Sequence, residues 1–171
     1  MLPSLNYMRH LIISVLVLFA SATFASAQKV YDGCADVKGI SRETKCDSTK
    51  FVSIFGKPDE YYKFGKPEDG DDMSETYYLG DNCFVFQNSG ILTYFSMKDN
   101  RLPVLTNYIK GGIRVGDRFS IFDNFEYGKP VFKDSLEDGR VVYSLWADSY
   151  DPIYLSVKDG VIKTIVYLSI P

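Results

Sequence analysis

Phe55-Gly56-Lys57-Pro58 returns seventy-two residues later as Tyr127-Gly128-Lys129-Pro130, each time after a short amphipathic run. A second pair of landmarks follows in the same order. CFVFQNSGILTYFSM, at 83–97, has a counterpart in PIYLSVKDGVIKTIVYL, at 152–168. Gly90 and Gly160 then sit seventy residues apart, each at a hairpin turn. Two landmarks at nearly one offset, in one order, predict a duplicated unit of about 70 residues.

The repeated tripeptide has a mechanism. Asp47 and Ser48 are N-cap candidates for a short helix over 49–55, in which Phe51, Val52 and Phe55 fall at helical spacing. Gly56 can take the left-handed conformation that ends a helix, and Pro58 blocks its resumption. Lys57 and Lys129 read as solvated charges beside a helix C-terminus. Residues 76–79, 83–87 and 91–97 read as short strands joined by turns at 80–82 and 88–90, an antiparallel meander. The stretch 99–111 connects the units, and the alternation of Leu102, Val104, Thr106 and Tyr108 would let part of it add a strand.

The second unit repeats the scheme. Asp117 would cap a helix over 118–125, with Phe119, Phe122 and Phe125 at i+3 spacing as a core stripe. After Gly128-Lys129-Pro130 come a polar loop and strands at 141–147, 152–158 and 161–169, the last two joined by a tight Asp159-Gly160 turn. The last strand is long and β-branched, which suits a well-covered position. The expected fold class is α+β: helix, then three antiparallel strands, twice, with the helices packed on one face of the sheet. The units run over 28–98, with an irregular lead-in, and over 112–171.

Residues 1–27 read as an export signal. Arg9 and His10 precede an apolar run at 11–19 too short to span a bilayer, and Ala25-Ser26-Ala27 supplies the small residues before a cleavage site at Gln28. The competing reading is a membrane anchor. Cys34 lies too far downstream for a lipoprotein signal. An exported chain, periplasmic or secreted, is expected. Its formal charge of −3 offers no basic stripe for nucleic acid or an anionic membrane.

The single histidine, His10, lies in the signal, so histidine-dependent catalysis and ordinary histidine metal sites are absent from the processed chain. The polar stretch 66–72, KPEDGDD, carries oxygen ligands without the register of a calcium loop, and reads as a solvated loop. No cofactor or metal is expected. Cys34, Cys46 and Cys83 in an oxidising compartment imply one intramolecular disulfide and one thiol. The short separation of Cys34 and Cys46, and the apolar strand around Cys83, favour a Cys34–Cys46 pair with Cys83 buried; the other pairings stay open.

The segment Ile40-Ser41-Arg42-Glu43-Thr44, a helix ending in Phe-Gly-Lys-Pro-Asp at 55–59 and the aromatic strands after it resemble the small outer-membrane assembly accessory domain, the BamE or SmpA/OmlA family. Ile113-Arg114-Val115-Gly116-Asp117, followed by Tyr-Gly-Lys-Pro at 127–130, resembles it again. Two such units in tandem resemble the architecture of the secreted β-lactamase inhibitory protein. The lipid-bearing cysteine of the accessory domain is missing here, and only the first unit could hold a disulfide. The resemblance implies a partner gripped by a sheet face, through an acidic and an aromatic residue in the hairpin loops after each unit's first strand. Asp81 and Tyr150 fall there, by loop position alone.

A non-enzymatic binder of an unidentified envelope or extracellular protein is therefore the expected function. Tyr62, Tyr77, Tyr94, Tyr143, Trp146, Tyr150 and Tyr154 are candidates for an exposed face, because tyrosine and tryptophan give large contact area at low entropic cost. The competing reading packs most of them into the core. A small-ligand or cell-wall-binding protein would instead show a groove between the repeats. A carboxylate-dependent hydrolase would draw on Asp148 and Asp151.

Overall fold

The computed structural model describes residues 35–65, 73–87, 89–106, 109–124, 129–145 and 152–169, all within the unit Gly33–Pro171. The signal at 1–27 and the polar loop at 66–72 lie outside the described residues.

The first helix forms as its end signals dictate. In α1 (Ser48–Phe55) the Asp47 carboxylate accepts from the Lys50 N–H at 2.8 Å. Gly56 ends the helix at φ +85°, its N–H donating to the Val52 carbonyl at 2.9 Å. Four strands follow: β1 (Glu60–Phe64), β2 (Ser74–Leu79), β3 (Asn82–Gln87) and β4 (Leu92–Met97). β5 (Val104–Thr106) and β6 (Ile109–Ile113) make a separate two-stranded ribbon. The last four strands are β7 (Val131–Ser135), β8 (Val141–Leu145), β9 (Ile153–Lys158) and β10 (Val161–Leu168).

β1 to β4 and β7 to β10 belong to one eight-stranded antiparallel sheet, in the order β1-β2-β3-β4-β10-β9-β8-β7. This overturns the expected pair of helix-then-sheet repeats, and with it the tandem BamE-like and inhibitor-like resemblance. The halves do not close separate sheets, because the segment 94–97 of β4 pairs directly with 165–168 of β10, and Phe95 stacks on Tyr167 at 5.2 Å. The expected second helix is absent as well. Residues Phe119–Phe122 form a single 3-10 turn, and α1 is the one α-helix among the described residues.

The reason lies in the backbone. The Gly116 N–H donates to the Ile162 carbonyl, the Ile162 N–H to the Asp117 carbonyl and the Phe119 N–H to the Gly160 carbonyl, so groups that would open a helix are spent on β10. The i+3 spacing of Phe119 and Phe122 suits three residues per turn as well as it suits an α-helix.

The sheet also has strands the sequence pattern hid. β1 and β7 are its two edges, and every residue in them is exposed, so neither shows alternating hydrophobicity. β7 occupies what reads as a polar loop.

The core lies on one face. A cross-strand row there runs from Tyr61 and Tyr77 through Phe84 and Phe95 to Tyr167, Ile153 and Leu145. Over the first half of this row α1 lays Phe51, fully buried, stacked on Tyr77 at 4.3 Å and edge-on to Phe84 and Phe86. Phe119 of the 3-10 turn covers the second half, 4.3 Å from the Tyr143 ring.

Cys46 and Cys83 are free thiols, which overturns the expected Cys34–Cys46 disulfide; Cys34 itself lies outside the described residues. Cys46 is buried under the β3–β4 turn, where its N–H donates to the Gly90 carbonyl at 2.9 Å. Gly90 sits at φ +76°, and a Cβ there would come within 3.0 Å of the Cys46 carbonyl oxygen, so the turn needs glycine for both conformation and room.

Candidate functional site

The face opposite the core is built from the same eight strands. Residues directly opposite across an antiparallel ladder share a face. One row therefore runs from Tyr62 on β1 through Thr76, Val85 and Tyr94 to Leu168 on β10. A second, beside it, starts at Glu60 and passes Tyr78, Cys83 and Ser96. It continues through Val166, Tyr154 and Ser144 to Val131 at the other edge. Glu60 is the sole charged residue in the two rows, in a chain that is 24% charged.

Thr76, Ser96 and Ser144 are buried among their neighbours, while Tyr78, Val85, Tyr94 and Tyr154 are half-exposed and Tyr62 and Leu168 stand out at 46% and 41%. The small hydroxyl residues thus form the floor and the larger side chains stand above it. Even Glu60 is engaged, its carboxylate accepting from the Tyr62 hydroxyl at 2.7 Å. The Tyr62 ring meets Tyr78 edge-on at 6.0 Å. Partial burial pushes the Cys83 thiol up from its ordinary value, against the pull of the Tyr78 hydroxyl and the Lys98 ammonium.

The residues singled out by sequence divide between the faces. Tyr62, Tyr94 and Tyr154 belong to the outer rows. Tyr77 and Tyr143 lie on the core face. Tyr77 is buried, and burial, followed by its hydrogen bond to the Glu75 carboxylate, raises its phenol far above the ordinary range. Tyr143 is taken up by Phe119 and, edge-on at 6.4 Å, by Phe132. Trp146 and Tyr150 lie outside the described residues, as do Asp148 and Asp151.

Asp81 is exposed at the β2–β3 turn, and the turn is strongly held. The Gly80 N–H donates to the Asp59 carboxylate at 2.6 Å. The Arg101 guanidinium donates to the Leu79 carbonyl and pairs with Asp99 at 2.7 Å. Asn82, fully buried, donates to Asp99 at 2.8 Å and accepts from the Lys98 and Asp99 N–H groups.

Sequence reasoning missed Tyr78, Val85, Val166 and Leu168. The available signal was the alternation in 82–87, where Asn82, Phe84 and Phe86 are buried and Cys83, Val85 and Gln87 are not. It was weak because the outward positions are themselves largely apolar.

Two of the cavities among the described residues open elsewhere. One, of about 570 Å³, lies between the 3-10 turn and the β9–β10 turn, lined by Arg118, Asp123 and Asp159 among others. The second, of about 230 Å³, lies among Lys38, Phe55, Leu79 and Arg101. Neither is lined by a residue of the two outer rows. Among the described residues no group of three His, Cys, Asp or Glu side chains is placed to hold a metal ion, and no helix is long and apolar enough to cross a membrane. Comparison with protein-family models, with curated proteins and with solved structures gives no match.

Proposed function

We propose that this chain is an exported, non-enzymatic protein-binding module that takes its partner on the outer face of the eight-stranded sheet. The observation that carries the reading is the chemistry of the two outer rows: tyrosine and aliphatic side chains over small hydroxyls, with one charge at the edge. The desolvated centre of a protein interface is depleted in charge and rich in tyrosine. A site for a small molecule is concave, and the described cavities lie away from these rows. Export rests on the residues at 1–27 and on the small residues before Gln28. The processed chain carries no histidine for acid–base work, and burial raises both described thiols, which suits binding better than catalysis.

Affinity capture tests this. Residues 28–171, immobilised, are exposed to envelope and culture-supernatant fractions of the source cell, beside baits carrying Tyr94→Glu or Tyr154→Glu. A charge set into the uncharged rows is expected to abolish capture of a partner that wild type holds, with the far-ultraviolet spectrum unchanged. A partner held equally by both folded variants, or none held by wild type, would overturn the reading. An Asp81→Ala bait asks separately whether the β2–β3 turn takes part. N-terminal sequencing of the processed protein is expected to begin at Gln28.

A further inference from the structure

Among the described residues the sheet ends on two unpaired edges, and they differ. β7 is guarded. A bulge interrupts its register with β8 between Phe132 and Asp134. Lys133 is exposed there with no ion pair among the described residues, while the exposed Asp134 carboxylate accepts from the Ser135 N–H at 2.7 Å. Bulges and free charges are the usual devices against edge-to-edge pairing. β1 has neither. Its five residues pair with β2 in unbroken register from Glu60 opposite Tyr78 to Phe64 opposite Ser74. Both of its charges are already engaged within the sheet, Lys63 with Glu75 at 3.5 Å and Glu60 with the Tyr62 hydroxyl. Three rings stand exposed along it: Tyr61 at 45%, Tyr62 at 46% and Phe64 at 56%.

We propose that β1 is a pairing edge and that its occupant is β1 of a second copy, set antiparallel across a twofold axis at Tyr62. The strand is complementary to itself in that register. Tyr62 meets Tyr62 of the other copy, Glu60 meets Phe64, and Tyr61 meets Lys63, whose ammonium can lie over the ring while keeping Glu75. No charge faces its like. A twofold axis through a residue, normal to the sheet, keeps every side chain on its own face, so the two outer faces join into one double-width surface. A ring of this size carries roughly 150–250 Å², so three half-exposed rings per copy bury about 600 Å² in all. Standard interfaces bury about twice that or more, which makes this a weak, exchanging dimer.

Sedimentation of residues 28–171 over a rising concentration series tests the proposal without any partner. The weight-average mass is expected to climb toward twice the monomer value, with the amides of 60–64 exchanging more slowly as it climbs. Tyr62→Lys or Phe64→Lys, at exposed positions, is expected to hold the mass at the monomer value with the fold intact. Phe132→Lys, on the guarded edge, is expected to leave dimerisation unchanged. A wild type that stays monomeric, a dimer that survives both β1 variants, or one lost equally with Phe132→Lys would each overturn the proposal. So would protection of 60–64 that appears only when another protein is added.

Discussion

Asn82 shows how much one buried polar side chain can hold. Its amide oxygen accepts from two backbone N–H groups and its nitrogen donates to Asp99, all at the turn that carries Asp81. Asn82→Ala leaves two part-buried donors without their acceptor and is expected to cost about 1–3 kcal/mol, read from the denaturant midpoint. Asp99 next to it has a pH signature. Burial opposes its ionisation, but hydrogen bonds from Arg101 and Asn82 outweigh that and hold its carboxyl below the ordinary value of about 3.8. A carboxyl lowered by folding stabilises the protein above its ordinary value, and the contribution is lost as pH falls through the folded value. Asp99→Asn should therefore be less stable than wild type at pH 7, and the gap should close in acid below about pH 4. The thiols give a third test. Alkylation in denaturant without reductant is expected to modify both Cys46 and Cys83, whereas a Cys46 recovered only after reduction would contradict the free thiol.

At the scale of elements, α1 and the 3-10 turn perform the same task by different means. Each sets aromatic rings on the core face, Phe51 against Tyr77 and Phe119 against Tyr143. α1 draws on its own cap, so Asp47→Ala is expected to cost about 1 kcal/mol. The 3-10 turn draws on β10, through the Phe119 N–H to the Gly160 carbonyl and the Arg118–Val161 bridge. Helical content measured by circular dichroism should accordingly fit one short helix. The edge strands teach a related lesson. β1 and β7 are held by their ladders with β2 and β8, with little buried side-chain area of their own, so their pattern carries no period for a reader to find.

For the whole molecule, continuity of the sheet through β4 and β10 decides how it unfolds. Phe51→Ala, deep in the first half, is expected to cost about 3–5 kcal/mol. If the halves form one cooperative unit, the fluorescence of Trp146, the single tryptophan and a probe in the second half, should lose stability by the same amount as the far-ultraviolet signal. Two independently folding repeats would leave the Trp146 transition where it was. Coincident midpoints are the expected result.

What the sequence determined by itself was local. The Gly56 stop, the α1 cap, the turns at Gly90 and Asp159-Gly160, and the six inner strands are written in residues a few positions apart, where sterics and hydrogen bonding act directly. Asp159 and Gly160 both take positive φ, as the tight turn requires. Only the tertiary structure decided which strands became neighbours. The pairing of β4 with β10 joins residues about seventy apart, and no local pattern distinguishes it from two separate sheets. The same holds for which tyrosines face outward. Tyr77 and Tyr78 are adjacent and chemically identical, yet the pleat sends one under Phe51 and the other to the outer face, because register, which is set by the partner strands, fixes the face.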